Sequence, residues 1–322
     1  MKYKIFCGLL AICLAAANET WDSDFEAGQQ SYQQGHIVDA ENSYRSALNT
    51  ADAFSSGDIR RLRSLLGLAR VLREETKFSE SEKLYQRALT ECEPVWGANH
   101  PNTAAALNGL AMLYQRSGRY SQAEALFRRI LLIEQTTGGP QSPQFATALN
   151  NLGSLYVTEG RYTSAEPTLQ QALEIFQRQG TTGIELADAL YNLALVKQVA
   201  DKKPEADSLY RAAIDVYEKH VGSDHPKFAT VVYNRATLLS EMGRHVEAEE
   251  LFRRSIKSYE RSFGPDSPRL IYLLNEYATL LRNMHRKSEA RQINTRVARI
   301  CSRHPEIKMS SMKIDVNALR VR

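Results

Sequence analysis

The sequence repeats itself with a period of about 42 residues, and this constrains its fold more than any local motif. "ALNGLAMLYQRSGRYSQAEALFRRILLIE" starts at Ala106, "ALNNLGSLYVTEGRYTSAEPTLQQALEIF" at Ala148 and "ALYNLALVKQVADKKPEADSLYRAAIDVY" at Ala189. The steadiest marker is a small residue, usually followed by Glu: Ala40, Ser81, Ala123, Ala165, Ala206, Ala248 and Ala290. Successive spacings are 41, 42, 42, 41, 42 and 42 residues. So regular a period marks a stack of supersecondary units, each covering the apolar face that its neighbour leaves open.

Inside each unit two helical stripes alternate. In the fourth, Leu149, Leu152, Gly153 and Tyr156 fall at i, i+3, i+4 and i+7, one face of a first helix. The pattern breaks at Gly160, and Ala165, Leu169, Ala172, Leu173 and Phe176 trace a second helix. Small residues recur where the two helices should cross: Gly28, Ala69, Ala111, Gly153, Ala194, Ala236 and Ala278 in the first, the marker residues in the second. Small side chains at both places let the backbones approach closely. Between units, "NHPNTA", "QSPQFA", "DHPKFA" and "DSPRLI" place Pro101, Pro143, Pro226 and Pro268 just inside a new helix. There the N–H that proline lacks would have no intrahelical partner. His100 and His225, one residue earlier, are expected as caps. Gly138, Gly139, Gly222 and Gly264 release the preceding helix, and the linker into the fifth unit relies on Gly180 and Gly183. The expectation is an all-α chain of about seven helix pairs.

The first residues read differently. "MKYK" supplies positive charge, "IFCGLLAICLAAA" a short apolar stretch, and Ala15, Ala16 and Ala17 small residues before Asn18. This is the pattern of a signal peptide over residues 1–17, followed by an array over 18–305 and a tail over 306–322. It predicts an exported protein, periplasmic or secreted. Lipid anchoring through Cys13 is the competing reading, although Ile12 fits poorly just before a lipidated cysteine. The apolar run is shorter than the roughly 20 residues that span a bilayer, and nothing beyond the leader is apolar enough to cross. Cys92 and Cys301 fall in the second and seventh units, too far apart for an expected disulfide. The net charge of +4 is too mild to argue for nucleic acid, and two of the positives, Lys2 and Lys4, belong to the leader.

The units, most clearly the fourth and the sixth ("GSDHPKFATVVYNRATLLSEMGRHVEAEELFRRSIKSYE"), resemble the tetratricopeptide repeat. The variety is the 42-residue one found in kinesin light chains and many bacterial proteins. The likeness spans roughly Phe25 to Arg303. It implies a right-handed superhelical solenoid of about seven antiparallel helix pairs whose first helices line a concave groove. In that family asparagines of the first helices hold the backbone of an extended bound peptide.

Counted back from the marker, positions at minus 18, 15, 11 and 8 form the first-helix face opposite the packing stripe. The minus-15 column contains Asn108, Asn150 and Asn275, which match the family's peptide-holding column, and Tyr191 and Tyr233, which depart from it. The minus-11 column contributes Met112, Ser154, Thr237 and Thr279, and Tyr272 lies at minus 18. An asparagine amide both donates and accepts, so it can pair with a peptide group whatever the ligand's side chains are. Against this stands a plain solvated helix face. The adjacent column of Asn151, Asn192 and Asn234 is expected to bond between helices. Arg63, Arg70 and Arg73 share the predicted groove face of the second unit, where they either attract an acidic partner segment or form a solvated basic face with Glu74 and Glu75.

Motifs for catalysis are absent. The seven histidines show no HExxH pairing, "GSLYVTEG" holds no GxSxG, and "GGPQSP" is too short and lysine-free for a phosphate loop. The sequence therefore points to a non-enzymatic scaffold without cofactor or metal, binding a protein or peptide partner in its groove. Nucleic acid is disfavoured, since no aromatic-rich platform accompanies the arginines. A structural or assembly factor of a cell-envelope or secreted complex, binding through its convex face or ends, is the rival reading. An accessory protein of a secreted enzyme system is a further one.

Overall fold

The computed structural model describes residues 2–55 and 57–304, with side chains from residue 18 onward. Fourteen helices and no strand are present among the described residues. They form seven hairpins: α1 (Lys2–Gln33) with α2 (Ile37–Ala51), α3 (Ile59–Glu74) with α4 (Phe78–Trp96), and α5 (Pro101–Arg116) with α6 (Tyr120–Thr137). The remaining four are α7 (Pro143–Thr158) with α8 (Tyr162–Arg178), α9 (Ile184–Val199) with α10 (Lys203–Val221), α11 (Pro226–Glu241) with α12 (His245–Phe263), and α13 (Leu270–Asn283) with α14 (Lys287–Arg303). The chain divides into two compact units at Gly139 and Pro140, three hairpins in the first and four in the second. Helix α1 runs unbroken across the leader boundary suggested at Asn18, and the 306–322 tail lies outside the described residues.

The marker residues are the tightest points of the structure. Ala40, Ser81, Ala123, Ala165, Ala206 and Ala248 are all fully buried where the helices of a hairpin cross. In the second hairpin the contact is a hydrogen bond, Ser81 Oγ donating to the carbonyl of Ala69 at 2.7 Å. Four residues after the marker stands the bulk of the first six second helices: Tyr44, Tyr85, Phe127, Leu169, Tyr210 and Phe252, all buried. Burying a Phe or Leu side chain stabilises by roughly 1.5–3 kcal/mol, so this column carries much of the core. Within each unit a second helix packs on its own first helix and on the next one, and neighbouring first helices also touch.

Helix starts follow the sequence except at one place. His100 and His225 cap α5 and α11 through Nδ1, accepting from Asn102 N and Lys227 N at 3.1 Å, and Ser142 caps α7. Pro268, however, is not inside α13. Leu270 N and Ile271 N bond to the carbonyls of Ser267 and Pro268, a tight i→i−3 turn that delays the α-helix until Leu270. The hairpin turns place one residue each in the left-handed region. Gly118 and Gly160 suit it, but Thr76, Asp201 and His285 occupy it in other hairpins. A β-branched threonine there is strained. Cys92 and Cys301 are free thiols, as their separate hairpins require.

The acid that follows the marker has a structural task. It pairs with a base at the next hairpin turn: Glu41 with Lys77 at 2.8 Å, Glu82 with Arg119 at 2.8 Å, Glu166 with Lys202 at 3.5 Å, Asp207 with Arg244 at 3.2 Å and Glu249 with Arg286 at 2.5 Å. Burial alone would raise the Glu41 carboxyl, but hydrogen bonds from Lys77 and Arg45 outweigh it and hold the group at about 2, against an ordinary 4.5. A carboxyl depressed in the folded state contributes stability that is complete above about pH 4.5 and is lost as pH falls toward 2. Glu41→Gln should therefore flatten the acid-side fall of the urea midpoint across that window. An unchanged profile would show that the pair contributes nothing.

Candidate functional site

In the first unit the first helices α1, α3 and α5 line an open cavity of about 710 Å³. Its construction starts from two glycines that sequence reasoning passed over. Gly67 and Gly109 stand fourteen residues before the markers of their hairpins, in the column that later holds Asn151, Asn192 and Asn234. A Cβ on Gly67 would lie 2.6 Å from Tyr44 Cε1, and one on Gly109 would overlap the ring of Tyr85. The glycines therefore act as windows through which the tyrosines of α2 and α4 reach the cavity. Helix α1 closes the opposite side with Trp21, Phe25 and Tyr32. It is pinned there by the Trp21 indole, which donates to Ser64 Oγ at 2.8 Å, and by the stacking of Trp21 on Phe25 with centroids 4.9 Å apart.

Five sequence-predicted residues meet at this cavity: Arg63, Arg70, Arg73, Asn108 and Met112. Arg70 lies over the Tyr32 ring, 4.1 Å from its centroid, and donates from Nη2 to the Tyr44 hydroxyl at 3.3 Å. Its Nε is buried without a hydrogen-bond partner. Arg73 is buried and pairs with Glu74 at 3.1 Å. Arg63 is exposed and forms no ion pair among the described residues. Other arginines of this unit, such as Arg60, Arg61, Arg87, Arg116 and Arg119, all have carboxylate partners. The Asn108 amide points along its helix to Met112 Sδ at 3.7 Å, and Met112 is 40% exposed. Burial pushes the hydroxyls of Tyr32, Tyr44 and Tyr85 above the usual tyrosine range, so each keeps its proton.

The second unit treats the same columns differently. Asn150 is only 5% exposed, and its carbonyl oxygen accepts from Asn192 Nδ2 at 3.0 Å. Tyr191 accepts from Asn234 Nδ2 at 3.1 Å, and burial drives its hydroxyl far up. Asn192 and Asn234 thus bond between helices as their column suggests, and they occupy Asn150 and Tyr191 in doing so. Tyr233, expected on the groove face, is a core residue: it is 2% exposed and packs edge-on against Phe252 at 6.0 Å and Tyr272 at 5.7 Å. The step to a neighbouring helix buries that face. Ser154, Thr237, Tyr272 and Asn275 are half-buried and Thr279 is exposed. The Thr237 and Thr279 hydroxyls bond to the backbone carbonyls of Asn234 and Asn275.

The family model described as Tetratricopeptide repeat matches residues 60–133, 144–219 and 227–303, and a second of the same description matches 108–179. The chain belongs to the tetratricopeptide repeat family. Among solved structures it is similar to a putative kinesin light chain with nearly identical repeats from Podosopora anserina, at 20% identity and a TM-score of 0.54 over 63% of this chain and 97% of that one. It is also similar to the apo form of RapI, at 16% and 0.61 over 89% and 99%, and to a Rap protein complexed with Competence and Sporulation Factor, at 14% and 0.52 over 90% and 99%. At such identities these likenesses establish the tetratricopeptide repeat fold alone. A search of curated protein sequences returns no match.

The glycine windows can be tested directly. Alanine favours a helix over glycine by about 1 kcal/mol, so Gly109→Ala would stabilise if the site were open. With Tyr85 fully packed behind it, the added methyl should instead destabilise by about 1–2 kcal/mol in urea unfolding. A stabilised variant would show that the ring is free to withdraw.

Proposed function

We propose that this tetratricopeptide repeat protein is a non-enzymatic interaction scaffold whose first-unit cavity receives an extended segment of a partner protein. The observation that carries the reading is the cavity itself, about 710 Å³ between three first helices, with Arg63 and Arg70 left without carboxylate partners among the described residues. An acidic side chain on the segment would supply them with charge-assisted hydrogen bonds. Asn108 and Gln29, also on the lining, carry amides suited to a peptide backbone. A structural relative, the Rap protein, is described in complex with a factor, which supports binding as a use of this fold.

The site is tested by closing it. Met112→Trp places a bulky ring at an exposed edge of the cavity, where folding should tolerate it. Affinity for a partner fragment, mapped after capture on the immobilised protein, should fall about tenfold or more with the melting temperature nearly unchanged. Full retention of affinity would move the interaction elsewhere on the array.

We further propose that the protein is exported, with residues 1–17 removed. The charged start, the short apolar run and the alanines before Asn18 support this. Asn18 and Trp21 already make contacts within the fold, to Arg60 and Ser64, so a chain starting at Asn18 keeps these anchors. Amino-terminal sequencing of the exported protein should begin at Asn18. A start at Cys13 would favour the lipid anchor.

A further inference from the structure

The arginines are only half of the charge in the first-unit cavity. Asp22 and Glu26 of α1 line it too, on the wall that faces α3. Both are exposed and neither makes a hydrogen bond or close ion pair among the described residues, although Asp22 lies near enough to Arg60 to act on it electrostatically. Arg63 and Arg70 make no ion pair either. Glu26, Arg63 and Arg70 therefore share one cavity without pairing with one another, and Asp22 adds a second acid on the same helix. The helices that carry them are fixed: Trp21 bonds to Ser64, Asn18 to Arg60, and Arg70 is held by Tyr32 and Tyr44. The walls are thus held in place, and a bound segment of matching charge would bridge them.

From this juxtaposition we propose that the cavity recognises a peptide segment of mixed charge, with an acidic residue for Arg63 and Arg70 and a basic residue for Asp22 and Glu26. This rests on the peptide-binding reading above and names the chemistry of its ligand. A purely acidic segment would satisfy α3 and be repelled by α1; a purely basic one would meet the reverse. Unlike charges at fixed places on two walls select by repulsion as much as by attraction. They also set the direction in which the segment lies. Beside the charges the half-buried Tyr32 and Leu66 offer an apolar surface, suited to an aromatic or aliphatic side chain. The same acidic wall opposes a polyphosphate backbone, so nucleic acid does not fit.

The probe is a phage-displayed library of random decapeptides, selected on immobilised protein and followed by titration of synthetic copies. Enriched peptides should carry both charge signs around an apolar residue. Glu26→Gln should weaken the best mixed peptide by about fivefold, the upper range for one exposed ion pair, and Arg70→Gln should do at least as much. Selection on Glu26→Lys should shift enrichment to acidic peptides without a basic residue. Because Glu26 is exposed, these variants should keep the wild-type melting temperature; if Arg70→Gln does not, Arg63→Gln reads the same wall from an exposed position. Enrichment of all-acidic peptides on the wild-type protein, or indifference to Glu26→Lys, overturns the mixed-charge inference and leaves peptide binding standing. Failure of any peptide to enrich, or enrichment of peptides that bind Met112→Trp equally well, overturns both.

Discussion

Close approach of two helices at a pair of small side chains is the constraint on which the rest depends. Ala69 and Ser81 are near enough for a side-chain-to-backbone hydrogen bond, and alanine or glycine fills the equivalent place in the other hairpins. Anything larger would push the helices apart and move the bulky residue four positions after the marker. That residue is what the next hairpin packs upon. Small and large positions are thus coupled: the first sets the spacing, and the second uses it to join repeats. The acidic residue beside the marker adds a further tie, reaching forward to a base at the next hairpin turn.

The seam between neighbouring first helices is where the two units diverge. Fourteen residues before the marker, the first unit has glycine at positions 67 and 109, whereas the second has Asn192 and Asn234. Glycine removes a side chain from the seam and lets a tyrosine from behind come forward, which leaves a cavity lined by rings. Asparagine fills the seam and spends its amide on the preceding first helix, at Asn150 and Tyr191. One column thereby decides whether the inner face is open or bonded shut.

The hairpins, their register and their crossings were legible in the letters because each is imposed by periodicity. The caps at His100 and His225 were legible because proline follows them. The site was only partly so. A column count places a residue on a helix face but does not say how near the neighbouring first helix stands. Tyr233 falls on the same face as Asn108, yet contact with Phe252 and Tyr272 makes it core. Asn150 likewise matched a peptide-holding column and proved to be held by Asn192. The acidic wall from α1 escaped because Asp22 precedes Phe25, where the likeness to the repeat begins, and Glu26 stands at its very edge. Thr76, Asp201 and His285 show a similar limit: a left-handed turn is usually announced by glycine, and these three are not.

The energetic state of Arg70 argues that the cavity is shaped for more than packing. The guanidinium lies over the Tyr32 ring and donates to the Tyr44 hydroxyl, and its Nε is buried without an acceptor. Leaving such a donor unsatisfied costs about 1–3 kcal/mol. An apolar side chain would fill the same space without that cost, and a paired carboxylate would relieve it, as carboxylates do for Arg60, Arg61, Arg87, Arg116 and Arg119. Neither is present. What the arrangement does provide is a fork already fixed in orientation, so an acidic residue of the proposed segment would gain its bonds without ordering the arginine first.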